Sequence, residues 1–279
     1  MVATPIGNLA DITLRALHVL QQVDAIACED TRHTQTLLRA YGIDRPTQQL
    51  LALHQHNEAE AAHQVIERLH SGQRVAYVSD AGTPAISDPG ARLVAAARAA
   101  GLRIMPLPGA SSVTTALSVA GITHDAGDGF VFAGFLPAKN QERATAVQAL
   151  AQETRAVVLL EAPHRIEALA TALAALGPRP LTIGRELTKQ FEEIATVSAA
   201  EFSAWLAAQA NRSRGEFALV LHPMPVRENT QESEGRRILT LLLAELPLKT
   251  AVKLAADISG ASRNALYDAA LALKQVSKT

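Results

Sequence analysis

The sequence is poor in the residue types that mark several classes of protein. It has a single cysteine, Cys28, so it can form neither a disulfide nor a thiolate metal site within one chain. The apolar residues around Cys28 predict that it is a small buried side chain. Aromatic residues make up only 4% of the 279 residues, which favours close helix–sheet packing over an aromatic-rich β core. The net charge of −1 excludes general electrostatic attraction to nucleic acid, so RNA could bind only at local basic patches.

Signals for membranes and for common nucleotide cofactors are also missing. No apolar run approaches the roughly 20 residues that span a bilayer, and the N-terminus does not have the pattern of a signal peptide. We therefore expect a soluble, cytoplasmic protein. Neither G-x-G-x-x-G nor the Walker pattern occurs, which disfavours pyrophosphate cofactors. The histidines, including His54 and His56, have no recognisable metal spacing, so no metal site is expected.

The order of the predicted elements indicates an α/β protein with two domains and a helical tail. Strands and helices alternate through the first 120 residues, which predicts a mainly parallel sheet covered on both faces. The expected divisions are an N-terminal α/β domain (1–121), a C-terminal α/β domain (122–222), a polar linker (223–235) and a basic helical tail (236–279). The tail predicts a helix–turn–helix and carries seven Lys or Arg residues against three Asp or Glu residues.

Three loops rich in glycine, proline and polar residues each join a predicted strand to a predicted helix, at residues 4–8, 79–90 and 106–112. Open α/β sheets bind ligands at the carboxyl ends of their strands, where such loops lie. In the second loop, Asp80 offers acceptors and Gly82 allows close approach, which suits a ligand with amine or hydroxyl donors. Asp88 is also a plausible N-cap of the next helix. One of the two serines that follow Pro108-Gly109 could cap a helix in the same way.

Several cationic or polar residues follow strand ends without an obvious structural reason. They are Arg32 and His33 in the first predicted domain, and His164 and Arg165 in the second. Contact with a phosphate backbone would explain them, but a solvated surface position would explain them equally well. Glu29 and Asp30, just before Arg32, could simply complement a helix dipole.

Seven ordered motifs, spread over nearly the whole chain, together resemble the small-subunit ribosomal RNA methyltransferases of the tetrapyrrole methylase superfamily. They are Ala3–Leu9, Glu29–Thr34, Val78–Pro84, Pro106–Gly109, Gly134–Pro137, Arg185–Lys189 and Gly215–Phe217. The resemblance implies the two-domain tetrapyrrole methylase fold, usually dimeric, with S-adenosyl-L-methionine bound in the cleft between the domains. It further implies methylation of a cytidine 2′-hydroxyl in the decoding region of 16S rRNA, within the small ribosomal subunit.

The resemblance also assigns expected cofactor contacts to residues on both sides of the cleft. These are Pro5, Asp80, Gly82, Ser111 and Ser112 in the first domain, and Ala162, Arg185, Glu216 and Phe217 in the second. The family normally has several residues before the Thr4–Gly7 motif, whereas only three precede it here. We therefore expect a weakened first strand and an intact loop after it.

A ribose hydroxyl is a poor nucleophile, so a general base should assist its methylation. The candidates are Asp30, Glu186 and Lys189, which lie in strand-end motifs expected to face the cleft. Lys189 could act as a base only with a depressed pKa, and would otherwise hold phosphate or stabilise the alkoxide. The expected RNA contacts are Asn8, Arg32, His33, Lys139, Arg165, Arg263 and Asn264.

Two other functions remain compatible with the same sequence. A methyltransferase of this fold could act on a porphyrin-like small molecule, which would leave the basic tail without a role. A non-enzymatic, ribosome-associated RNA-binding protein would use the tail but would leave the three strand-end loops unexplained. The tail could also simply pack on the rest of the chain.

Overall fold

The computed structural model describes residues 1–54, 56–123, 129–224 and 230–276. The chain divides into two compact units, of which the first comprises residues 1–122 and 129–222 and the second comprises residues 123–128 and 223–279. The domain boundary expected at residue 121 stays a prediction. None of the helices in the described ranges combines the length and the apolar character needed to cross a membrane.

A three-stranded parallel sheet forms the centre of the N-terminal half of the first unit. Its order is β2-β1-β3, and Cys28 at the end of β1 is fully buried, as predicted. The strands are β1 (Ala25–Cys28), β2 (Leu50–Ala52) and β3 (Val75–Val78). The helices are α1 (Leu14–Gln22), α2 (Thr31–Ala40), α3 (Glu58–His70), α4 (Ala91–Ala99) and α5 (Ser112–Val119), and short 3-10 turns lie at Leu9–Asp11 and Thr47–Gln49.

The strands predicted just before the loops at residues 4–8 and 106–112 are reduced to isolated bridges. Val2 pairs with Leu107, and Thr4 pairs with Gly82. The Leu107 N–H donates to the Met1 carbonyl at 2.9 Å, and the Val2 N–H donates to the Tyr77 carbonyl at 2.9 Å.

The expectation that Asp88 caps α4 is wrong. The helix begins at Ala91, and Gly90 occupies the N-cap position without a side-chain cap. The Glu58 carboxylate accepts hydrogen bonds from the backbone N–H groups of Gly90 and Arg92, at 2.9 and 3.0 Å. A carboxylate from α3 therefore replaces the local cap, and Asp88 is released for another role.

A mixed five-stranded sheet forms the C-terminal half of the first unit. Its order is β4-β5-β8-β6-β7, in which only the β4–β5 pair is parallel. The strands are β4 (Phe130–Gly134), β5 (Ala156–Glu161), β6 (Pro180–Arg185), β7 (Glu193–Ser198) and β8 (Phe217–Leu221). The helices are α6 (Asn140–Leu150), α7 (Ile166–Leu173) and α8 (Phe202–Ala207), with 3-10 turns at Ala174–Leu176 and Ala199–Glu201. The parallel sheet predicted for the first 120 residues is thus confirmed, whereas the second sheet, for which no strand direction was predicted, is mainly antiparallel.

The second unit is helical. It contains α9 (Thr230–Leu243), α10 (Leu248–Ser259) and α11 (Arg263–Val276). Helix α9 begins within the stretch that was expected to be a linker. Helix α10 ends at Gly260, whose left-handed φ of +72° closes the predicted turn before α11. Leu239, Val252, Leu266 and several alanines bury a small separate core among these helices.

Candidate active site

The three strand-end loops of the N-terminal half are joined to one another by hydrogen bonds. Thr4 and Gly82 exchange backbone hydrogen bonds of 2.9 and 3.0 Å, which connect the first loop to the second. The Thr83 hydroxyl donates to the Ala110 carbonyl at 3.0 Å, which connects the second to the third. Gly82 adopts a left-handed φ of +79° in this arrangement. The loops therefore form one continuous wall.

This wall faces residues of the five-stranded sheet across a cleft of about 260 Å³, close to the lower end of the range for small-molecule sites. Six of the expected cofactor contacts line the cleft, namely Gly82, Ser111, Ser112, Ala162, Glu216 and Phe217. Ser111 is the N-cap residue of α5, but its side chain makes no capping hydrogen bond. Its hydroxyl is therefore available for a ligand.

Pro5, Asp80 and Arg185, the other expected cofactor contacts, lie outside the cleft lining. Asp80 accepts a hydrogen bond from the backbone N–H of Asp30 at 3.1 Å, so it holds the first turn of α2 against the second loop. The buried Arg185 donates through Nε to the Arg214 carbonyl at 2.7 Å and through Nη1 to the Phe191 carbonyl at 3.1 Å. These hydrogen bonds give both side chains a role in shaping the site.

Lys189 and Glu186 lie outside the cleft lining, and Lys189 is held between two carboxylates, of which Glu216 lines the cleft. The Lys189 Nζ lies 2.9 Å from Glu186 Oε1 and 2.9 Å from Glu216 Oε2. Partial burial lowers the pKa of Lys189, but the hydrogen bonds and charges of the two carboxylates outweigh burial and raise it. The pKa of Glu186 is lowered, since the Lys189 ammonium and the Glu216 N–H outweigh its burial. Lys189 is thus a permanent ammonium ion here.

The same loop makes close contact with the first loop of the N-terminal half. A Cβ added to Gly7 would lie 2.4 Å from Lys189 Cγ and 2.9 Å from Thr188 Oγ1. Glu186 and Thr188 adopt left-handed φ angles of +51° and +66°, which are uncommon for residues other than glycine. A strained backbone is therefore maintained where the two halves meet, as is frequent at functional sites.

Asp30, the third candidate base, lies outside the cleft lining. It caps α2 by accepting from the N–H groups of Arg32 and His33, and its hydrogen bonds with the Arg32 side chain and backbone lower its pKa to about 2. By contrast, burial raises the pKa of Glu29 and of Asp88, and nearby Asp80 adds to the effect in each case. Asp88 lines the cleft. The sequence had offered Asp88 as a plausible N-cap, and Asp88 was not among the expected site residues.

Most of the expected RNA contacts are exposed, and several are already paired. Arg32 bonds to Asp30, Lys139 to Glu142 and Arg263 to Asp257, at 2.9, 3.0 and 2.6 Å. His33 and Asn264 are exposed. Asn8 is exposed too, and its side chain caps the turn at Leu9–Asp11.

Arg165 differs from the other expected RNA contacts because it points inward. Its Nη2 donates to the Leu136 carbonyl, and its Nε lies 3.1 Å from Oε1 of the fully buried Glu161 side chain. Arg165 therefore connects the end of β5 to the loop after β4. Glu161 at the end of β5 and Phe135 in the loop after β4 both line the cleft. Neither was among the site residues expected from the sequence. Among the described residues, no group of three or more His, Cys, Asp or Glu is arranged to hold a metal ion.

The fold and the cleft between its two sheets are those of a methyltransferase class that comparison with known proteins identifies. The family model described as Tetrapyrrole (Corrin/Porphyrin) Methylases matches residues 1–203, and a model described as the RsmI C-terminal HTH domain matches residues 229–274. A crystal structure of uroporphyrin-III C-methyltransferase from Thermus thermophilus, complexed with S-adenosylhomocysteine, has the same fold. Its TM-score is 0.53 at 15% identity, and the match covers 82% of this chain and 98% of that one.

Relatives with nearly full-length similarity narrow the class. Ribosomal RNA small subunit methyltransferase I from Escherichia coli O157:H7 is 47% identical, over 97% of this chain and 93% of the relative. The protein of that name from Xylella fastidiosa is 48% identical, over 96% of both chains. The chain belongs to this methyltransferase family, a branch of the tetrapyrrole methylases, as its ordered motifs had indicated.

Proposed function

We propose that this protein transfers a methyl group from S-adenosyl-L-methionine to the 2′-hydroxyl of a cytidine in the decoding region of 16S rRNA. The cleft between the two sheets is the observation that carries the proposal. One wall consists of three hydrogen-bonded strand-end loops, and the other consists of the ends of β5, β6 and β8. The 45–48% identical relatives are named ribosomal RNA small subunit methyltransferase I, which supports small-subunit rRNA as the substrate.

The residues of the cleft fit this cofactor. Ser111, Ser112 and Asp88 on the first wall offer hydroxyl and carboxylate groups for an amino-acid tail or a ribose. The second wall is largely apolar and supplies Phe132, Phe135 and Phe217, which suit a purine. Within the described residues, Glu161 Oε2 is a buried acceptor without a hydrogen-bond partner. When bound, the cofactor supplies a methyl group already activated by its sulfonium.

The protein itself contributes in two ways, since it positions the substrate hydroxyl against the methyl group and stabilises the charge that develops on the oxygen. Holding the hydroxyl oxygen about 3–3.5 Å from the methyl carbon, in line with the breaking bond, can supply most of the acceleration. The Lys189 ammonium, fixed by Glu186 and Glu216, is suited to stabilising the alkoxide or to holding a neighbouring phosphate. The raised pKa of Asp88 makes its carboxylate a stronger base than a solvated aspartate, and the lowered pKa values of Asp30 and Glu186 make them weaker ones, so Asp88 is the preferred candidate base.

The proposed partner is 16S rRNA within the small ribosomal subunit, which also implies a cytoplasmic location. Lys139 and Arg32 offer exposed cations in the first unit, and the helical second unit adds Arg263 and Asn264. We also propose a homodimer, in accord with the superfamily resemblance. Large apolar side chains such as Leu14 (85% exposed) and Phe191 (66% exposed) are suited to burial against a second copy.

The decisive experiment supplies unmodified small ribosomal subunits and labelled S-adenosylmethionine, and then maps the product. The subunits come from a strain that lacks the family enzyme. We expect one methyl group on the ribose of a decoding-region cytidine. In a parallel reaction a free tetrapyrrole replaces the subunits, and a separate titration measures binding of the cofactor alone. Methylation of the tetrapyrrole but not the subunit would support a small-molecule enzyme, and absence of cofactor binding would leave only a non-enzymatic RNA-binding protein.

A further inference from the structure

Glu161, the last residue of β5, has an unusual environment for a carboxylate. Its side chain has no exposed area, and the residue lines the cleft. Oε1 accepts a hydrogen bond from the Ala162 N–H at 2.9 Å and lies 3.1 Å from Arg165 Nε. Oε2 is also buried, but has no hydrogen-bond partner among the described residues.

An unpartnered buried carboxylate oxygen is rare, because the loss of its hydrogen bonds with water is not compensated. Arg165 balances the charge of Glu161 through Oε1, and Oε2 remains an unused acceptor. Both residues are held by regular structure, Glu161 at the end of β5 and Arg165 at the start of α7. Because Oε2 has no exposed area, a ligand donor reaches it only when the cleft wall around Glu161 moves slightly on binding, and such a donor would then satisfy it.

The surroundings limit what that donor can be. The same wall of the cleft supplies Leu160, Phe132 and Phe217, an apolar environment that suits a flat heteroaromatic ring. The opposite wall carries the serine hydroxyls, which suit the polar tail of the cofactor. On the edge of an adenine ring, the ring nitrogens are acceptors and the exocyclic amino group is the donor.

We propose that Glu161 Oε2 accepts a hydrogen bond from the exocyclic amino group of the cofactor's adenine and thereby selects adenosyl over other purine nucleosides. This inference rests on the proposed function, because it takes S-adenosylmethionine as the ligand. It assigns Glu161 a specificity role in binding and leaves methyl transfer to other residues.

The test compares three ligands by isothermal titration calorimetry with the full-length protein. They are S-adenosylhomocysteine, its 6-deamino (purine riboside) analogue and its 6-oxo (inosyl) analogue. A hydrogen bond to a charged acceptor predicts that both analogues bind at least about ten-fold more weakly to the wild type. Equal binding of all three would overturn the inference and leave the proposed function intact. Absence of binding by S-adenosylhomocysteine itself would overturn both.

Glu161→Gln gives a second, independent arm. If the amide oxygen keeps the hydrogen bond from Ala162, the amide nitrogen replaces Oε2 and becomes a donor. The preference should then shift from the adenosyl ligand toward the 6-oxo ligand, whereas an unchanged preference in a folded variant would contradict the role of Oε2. Glu153→Gln is the matched control, because Glu153 pairs with Arg155 at 2.8 Å and does not line the cleft. If Glu161→Gln does not fold, the comparison of the three ligands on the wild-type protein still tests whether Oε2 recognises the amino group.

Discussion

At the scale of single residues, ion pairs beside the cleft determine which side chains carry a proton. The Lys189 ammonium has two carboxylate partners, and Glu186 Oε1 accepts from both Lys189 and the Glu216 N–H. Because its pKa is raised above the usual value, Lys189 binds its proton throughout the neutral range. A lysine base would need the opposite shift. The sequence could identify Lys189 as a site residue. It could not show whether the pKa of Lys189 is raised or lowered, because the direction depends on the carboxylates that the fold brings to it.

Lys189→Met should therefore lower turnover, by about a hundred- to a thousand-fold if its charge faces the developing alkoxide, and leave the affinity for S-adenosylhomocysteine nearly unchanged. Lys189→Arg should recover part of the turnover, because the positive charge is retained. Between pH 6 and 9 the rate profile of Lys189→Arg should parallel that of the wild type, since neither side chain loses its proton there. Single-turnover methylation across this range is the measurement. Loss of a titrating limb in Lys189→Arg would show that Lys189 is the base after all.

At the scale of elements, the sequence predicted most helices and the central strands but misplaced connections that depend on distant partners. The α4 cap is supplied by Glu58 from α3, and no local pattern around Asp88 could reveal this. Sequence alternation also could not show that β8 inserts between β5 and β6 in antiparallel pairing. Gly82 and Ala162 line the cleft because their loops follow β3 and β5, a local feature, whereas Glu216 and Phe217 lie where β8 begins and came from the family resemblance. The sequence could not show the inward direction of Arg165, which depends on Glu161 and on the Leu136 carbonyl.

The hydrogen bond from Arg165 to Leu136 predicts that this arginine anchors the loop between β4 and α6, which carries Phe135 into the cleft. Arg165→Lys keeps the charge but cannot bond to Leu136 and Glu161 in the same fork geometry. Hydrogen–deuterium exchange should then increase at residues 135–139, and S-adenosylhomocysteine should bind several-fold more weakly. Lys139→Gln is the control, because an exposed pair such as Lys139–Glu142 contributes only about 0–1 kcal/mol. Unchanged exchange in Arg165→Lys would instead favour an RNA-contacting role for this residue.

At the scale of the whole molecule, the chain separates a cleft for a small cofactor from a helical unit with a different charge. The complete sequence has a net charge of −1, yet residues 236–279 contain seven basic and three acidic residues. Each described helix of this unit packs on the other two around a core of its own. Its cations are therefore not needed to hold that core together. We propose a division of labour, in which the first unit binds the cofactor and the second adds affinity for RNA phosphates.

The salt dependence of RNA binding tests this division. Lys249 and Lys253 are exposed on α10, and within the described residues neither forms an ion pair, so Lys249→Gln/Lys253→Gln should leave folding intact. If both lysines neutralise phosphates, the slope of log K against log salt concentration should become shallower by about 1.4, since each neutralised phosphate of a single-stranded RNA accounts for about 0.7. Affinity for S-adenosylhomocysteine should not change. Arg155→Gln is the matched control, since Arg155 is already paired with Glu153. An identical slope in the double variant and the wild type would mean that these two lysines do not bind the RNA.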